Sequence, residues 1–152
     1  MKFLIGVLII IVLVICGNLL SLKYCERTKF IIDFNQFNEN LINEVNYSQN
    51  TIRQLLNNCP STVFYITVKD YFLNKKEIEK IKFLAENEFD FLVDYLSKIG
   101  KMDKVSQLNY LTYSSKILLK LKDDALLDEK KYKDLYIKMG FLIGLIIMII
   151  LL

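Results

Sequence analysis

The sequence predicts an all-α protein, a six-helix soluble bundle flanked by an N-terminal and a C-terminal transmembrane helix. Three observations carry this. Both ends of the chain are apolar runs: Phe3 to Leu20 is interrupted only by Asn18, and Met139 to Leu152 has no charge at all. The stretch between them holds one glycine, Gly100, and one proline, Pro60, so strand-and-turn architectures lack their punctuation. Its apolar residues recur at spacings of three and four, the period of a helix with one buried face. The expected division is therefore 1–20 as the first anchor, 21–138 as the helical soluble domain and 139–152 as the second anchor.

The first run reaches the lower length limit of a spanning helix. It is long for the apolar part of a signal peptide, and no small-x-small cleavage site follows it. Bulky Ile15 also spoils Cys16 as a lipoprotein site. The second run spans only ~21 Å as a helix, against a hydrocarbon core of ~30 Å. Leu135, Tyr136 and Ile137 lengthen it to ~27 Å if Lys138 snorkels to the headgroups. Lys23, Arg27 and Lys29 follow the first run, and Lys130, Lys131, Lys133 and Lys138 precede or open the second. Basic residues mark the cytoplasmic side, so the domain is expected in the cytoplasm with both termini outside, Lys2 arguing weakly the other way. Cys25 and Cys59 form no framework of the kind secreted domains use.

Within the domain, Phe30, Phe34, Phe37, Leu41 and Val45 make one stripe, on a helix expected to run on from the first anchor. Thr51 to Asn58 reads as a short helix presenting Ile52, Leu55 and Leu56, stopped at Pro60, with Ser61 available to cap the next. Ser61 to Leu73 is rich in β-branched and aromatic residues. As a strand it has no partner anywhere in the chain, so it is read as a helix. Asn74-Lys75-Lys76-Glu77 resembles a capping box opening a helix that buries Ile78, Ile81, Leu84 and Ala85. Asn87 is expected to cap another, with Phe89, Leu92, Val93 and Leu96 inward and Gly100 as its left-handed terminator. Asp103 then caps a last helix, with Val105, Leu108, Leu111, Ser115, Leu118 and Leu119 as its stripe, running from about Lys104 into the second anchor.

Catalytic chemistry has little to work with. There is no histidine, so the commonest general base and zinc ligand is missing, and no glycine-rich phosphate loop occurs. Neither a cofactor nor a small-molecule substrate is expected. The formal charge of +3, from 20 basic and 17 acidic residues, is too balanced for a nucleic-acid stripe; lipid headgroups account for the basic flanks more simply. Gly140 and Gly144, four apart, leave a flat strip on one face of the second anchor. Such strips pack helices in lipid, and the first anchor, with Gly6 and Gly17, is the nearest candidate partner.

Three local patterns carry a family resemblance. Glu44-Val45-Asn46-Tyr47 is similar to an E-I-x-Y motif, and Ile99-Gly100-Lys101-Met102-Asp103 with Gln107 to an L-G-x-S-D-x-x-x-Q turn. Tyr136 to Leu152, with Gly140 and Gly144, is similar to a closing Y-x-x-L-G-x-L-x-G tail. In order and spacing these resemble the stage III sporulation protein AB family. Asn50-Thr51-Ile52 stands where that family has T-P-L, and Met102 where it has serine. The resemblance implies a non-enzymatic component of the mother-cell membrane around the forespore, part of a secretion-like channel. It also implies partners: the cytoplasmic ATPase stage III sporulation protein AA and the other channel proteins of the same operon. The chain would act there as platform or adaptor, with Glu44, Tyr47, Gly100, Asp103 and Gln107 as candidate partner or structural positions. Two other readings stay open on the residues alone: a membrane-anchored interaction domain unrelated to sporulation, and a pore-former, for which the anchors offer only Asn18.

Overall fold

The computed structural model describes residues 2–45, 52–57 and 59–151. Among them every regular element is a helix: α1 (Lys2–Asn43), α2 (Ile52–Asn57), α3 (Val63–Asn74), α4 (Glu86–Lys98) and α5 (Lys104–Leu151). The chain forms two compact units, a terminal one of Met1–Thr28 with Asp124–Leu152 and a central one of Lys29–Asp123. α1 runs 42 residues and α5 runs 48 residues without interruption.

The expected sixth helix is absent, and residues 75–85 are a loop. The reason is that the Asn74 signal works in the opposite direction. Instead of accepting downstream N–H groups, its amide donates to Asp70 Oδ1 at 2.6 Å, closing α3. Lys75 turns left-handed at φ 52°, and the Lys76 N–H donates to the Asp70 carbonyl at 3.1 Å. Ile78, Ile81 and Leu84 still pack against the core, but from the loop, while Ala85 is exposed. Nor does Asn87 cap α4: the helix begins at Glu86, and the Glu88 carboxylate accepts the Ala85 N–H at 3.0 Å. α3 likewise starts after Thr62 rather than at Ser61, and the Thr62 hydroxyl donates to Asp33 Oδ2 at 2.6 Å.

The central unit is filled by aromatic rings. Phe64 on α3 is completely buried. Its ring meets Phe30, Phe34 and Phe37 of α1 at centroid distances of 5.2, 5.2 and 5.6 Å. Tyr95 of α4 stands edge-on to Phe34 at 4.8 Å. The α1 stripe thus does what its spacing requires, because residues three and four apart share a face and large rings each bury much apolar area. Three further expectations for the core fail. Val93, Val105 and Leu119 are exposed, and Tyr95 and Ser114 occupy inward positions instead. Tyr95 lies inside because Asn38 gives its hydroxyl somewhere to go: Tyr95 OH donates to Asn38 Oδ1 at 2.7 Å, and Asn38 Nδ2 donates to the Leu111 carbonyl at 3.1 Å. A buried tyrosine needs such an acceptor, and here it links three helices.

Candidate functional site

In the terminal unit the two chain ends pair as antiparallel helices, and glycine sets how close they come. Gly6, Gly17, Gly140 and Gly144 are all buried. A Cβ on Gly17 would lie 2.6 Å from the Tyr136 carbonyl oxygen, and one on Gly140 would lie 2.7 Å from that of Leu13. One on Gly144 would meet Ile10 at 2.8 Å, and one on Gly6 would meet the Met148 side chain at 2.7 Å. Backbone thus approaches backbone reciprocally, Gly17 on Tyr136 and Gly140 on Leu13. No residue with a side chain fits at these two positions without pushing the helices apart. That is how helices associate in lipid, where burying apolar side chains gains little and close packing gains most.

The outward faces carry the bulk. Leu8, Ile11, Val12, Ile15, Leu19 and Leu20 of α1 are exposed, as are Phe141, Leu142, Ile143, Ile146, Ile149 and Ile150 of α5. α1 is long and apolar enough to cross a membrane, and only 17% of its most apolar stretch is buried. The polar Asn18 is satisfied by its own helix, its amide donating to the Val14 carbonyl at 3.3 Å.

Further along the same pair the chemistry changes. Tyr24 stacks on Tyr132 at 4.3 Å, with Tyr136 at 6.3 Å. The ammonium groups of Lys23 and Lys131 lie 4.9 and 5.6 Å from the Tyr24 and Tyr132 ring centroids. One turn on, Arg27 pairs with Asp128 at 2.7 Å, and the Thr28 hydroxyl lies 3.2 Å from the carbonyl oxygen of Ala125. Tyrosines with apolar bodies and polar tips, followed by paired charges, are the order of groups found where a helix leaves hydrocarbon for water. The ion pair is part-buried, Arg27 more than Asp128, and ties the two helices together at this level.

The remaining sequence candidates lie in the central unit. Gly100 follows α4 at φ 76°, a left-handed turn that glycine adopts at no steric cost. Its Cα faces the Ile52 side chain, at ordinary contact distance for an added Cβ (3.5 Å). Asp103 caps α5, its Oδ1 accepting the N–H groups of Val105 and Ser106, each at 3.1 Å. Hydrogen bonds from Ser106, then from Val105, hold the Asp103 carboxyl below its ordinary pKa. Gln107 is half-buried one turn into α5. Gly100, Asp103 and Gln107 therefore belong to one turn. Glu44 sits in a π-turn just after α1, its Oε2 buried and without a hydrogen-bond partner among the described residues. Tyr47 lies outside the described residues.

Sequence reading missed the Asn38–Tyr95 pair, whose only advance signal was an asparagine one residue from the aromatic stripe. It also missed the buried Glu88, which the negatively charged first turn of α4 could have suggested. No group of three or more metal-ligating side chains occurs among the described residues.

The family model for stage III sporulation protein AB matches residues 67–152, from within α3 through the 75–85 loop and α4 to the end of the chain. No curated protein and no solved structure matches the chain.

Proposed function

Because the chain belongs to the stage III sporulation protein AB family, with a role in sporulation, we propose that it acts as a two-pass membrane adaptor in a secretion-like channel complex. In this reading both apolar ends span the mother-cell membrane that surrounds the forespore, and the central unit lies in the cytoplasm. There it engages the ATPase stage III sporulation protein AA.

The observation that carries this reading is the glycine-paired terminal unit. Two helices approach through bare backbone while their bulky apolar side chains point outward. That arrangement is stable in hydrocarbon and wasteful in water. This reading takes the C-terminal helix into the membrane together with α1, supported by the register of their pairing, from Gly17 and Tyr136 to Gly6 and Met148. The lysines beyond the tyrosine cluster support a cytoplasmic central unit. A central unit built from packed rings and a helix-linking amide suits binding rather than turnover.

The test is co-expression of the full chain with its host's AA-type ATPase, solubilisation in maltoside, and size-exclusion chromatography with an ATPase assay on the fractions. The ATPase is expected to co-elute with the chain and to change its turnover in the complex. Separate elution with unaltered turnover overturns the adaptor role. Orientation is read independently from Lys120→Cys in a cysteine-free background. An impermeant maleimide applied to intact cells should leave it unlabelled, and efficient labelling from outside reverses the topology.

A further inference from the structure

α3 and α4 both end at one cleft of the central unit, a cavity of about 520 Å³. Its floor is apolar: Leu96 and Ile99 are buried beneath it, and Tyr71 and Phe72, ring against ring at 5.1 Å, form a half-buried wall. Half-exposed aromatic pairs beside a pocket are the anchors on which protein partners gain most of their binding energy.

The rim is cationic, and its charges differ in how they are used. Lys76 is held by Asp70 at 3.3 Å, and nearby Lys98 by Asp94 at 2.7 Å. Lys75 and Lys101, by contrast, face the cleft with no carboxylate within ion-pair distance among the described residues. Glu77 is the single acid in the lining. Lys75 also occupies the left-handed region at φ 52°, where a residue with a Cβ costs ~1 kcal/mol relative to glycine. The equivalent turn after α4 uses glycine, Gly100, at φ 76°. Where the backbone would be better served by glycine, the chain carries an ammonium group over an apolar floor.

We infer that this cleft receives an acidic amphipathic segment of a protein partner, with an apolar side chain on the Leu96–Ile99 floor against Phe72 and carboxylates meeting Lys75 and Lys101. The inference rests on the adaptor reading and gives it a surface. Charge complementarity selects the occupant, since a basic or neutral apolar segment would leave both free ammonium groups uncompensated.

The full chain in maltoside micelles is titrated against a fluorescent synthetic helix bearing a leucine–phenylalanine stripe flanked by glutamates, and against its mirror with lysines. The acidic peptide is expected to bind, more weakly as salt rises, and the lysine peptide not to bind. Lys75→Glu with Lys101→Glu should weaken binding by about tenfold or more, a loss of ~1.4 kcal/mol. Lys116→Glu with Lys120→Glu, equally exposed on α5, should change nothing. Should the double reversal fail to fold, Lys75→Gln with Lys101→Gln removes the attraction without adding repulsion and should still weaken binding. Absent binding, equal binding of both peptides, or binding untouched by the Lys75 and Lys101 changes overturns the inference. Displacement of the acidic peptide by water-soluble dihexanoyl phosphatidylserine at equal charge does so too, and reassigns the lysines to lipid headgroups. If the ATPase co-elutes while the peptide fails to bind, the cleft falls and the adaptor role stands. If the peptide binds and the ATPase does not co-elute, the adaptor role falls and the cleft stands.

Discussion

The terminal and central units solve the same packing problem with opposite residues. In the terminal unit the buried contacts are made by glycines and backbone carbonyls, and the large apolar side chains point away. In the central unit the buried contacts are made mainly by large side chains, Phe34, Phe37, Phe64 and Tyr95, with a few polar groups such as Asn38 enclosed among them. In the two-pass reading proposed above, the difference follows from the solvent each unit is built for. In water, removing a ring from contact with solvent is the main gain, so the largest side chains go inside. In hydrocarbon that gain vanishes, and what remains is the dispersion and weak hydrogen bonding of close backbone approach, which favours the smallest residue.

The comparison breaks most visibly if glycine is not the determinant of the terminal pair. Gly140→Leu together with Gly144→Leu forces side chains into Leu13 and Ile10, at a cost of roughly 1–3 kcal/mol per site. Cysteines replacing the stacked Tyr24 and Tyr132, with the native cysteines removed, report the pairing. Their disulfide yield should fall to background in the double leucine variant while the chain still inserts. An undiminished yield means the glycines are incidental.

The central unit should be hurt by the opposite change, shrinkage. Phe64→Ala removes the ring around which Phe30, Phe34, Phe37 and Tyr65 are arranged and should cost about 3–5 kcal/mol. The readout is chemical denaturation of the full chain in micelles, with the Tyr24–Tyr132 cross-link as an internal control that should not move. A loss of cross-linking would show that the units do not divide the energetics as they divide the contacts.

A smaller effect sharpens the role of the one polar link in the aromatic core. Tyr95→Phe strands Asn38 Oδ1 without its donor and should cost ~1–3 kcal/mol, whereas Tyr95→Phe with Asn38→Leu should cost less than the single change. Burial also pushes the Tyr95 hydroxyl well above its ordinary pKa, and Tyr65 and Tyr110 are pushed up to about 12, chiefly by burial. For an acid raised in the folded state, stability is complete below the unfolded pKa of ~10 and declines as pH rises through the window above it. Thermal melts from pH 9 upward should therefore fall, and fall less steeply in Tyr95→Phe. An identical alkaline slope would remove Tyr95 from the account.

The smallest change is at the α5 cap. Asp103 is depressed by the Ser106 and Val105 hydrogen bonds, so its contribution is present above the unfolded pKa of ~3.9 and is lost as pH falls through the folded value. Asparagine caps as well but does not titrate. Asp103→Asn should leave the melt near neutral pH almost unchanged and flatten its decline below about pH 4. A parallel decline in both proteins would mean the cap carries none of the acid sensitivity.

Several features are legible in the sequence alone. Phe30, Phe34, Phe37 and Leu41 declare a helix face by spacing alone, because a side chain's direction along a helix is set by 3.6-residue geometry whatever it packs against. Gly100 and Asp103 announce a turn and a cap because those roles need particular local chemistry: freedom at positive φ, and an acceptor oxygen on a short side chain. Glycine in the terminal helices was visible as a strip, and so was the absence of histidine. What only the tertiary structure decided is which of several locally permitted options wins. Asn74 can open a helix or close one, and Asp70 at hydrogen-bonding distance made it close, turning the expected sixth helix into a loop. Val93 and Tyr95 compete for the inside of α4, and Asn38, far away in sequence, made the tyrosine the one that could be buried. Gly17 is a helix-weakening residue in isolation, and the carbonyl of Tyr136 made it the point of closest approach. For Tyr95 and Gly17 the deciding group is remote along the chain, and local propensities of a few tenths of a kcal/mol yield to one buried hydrogen bond or one steric clash; for Asn74 it is only four residues back, and the choice lies between two local hydrogen bonds.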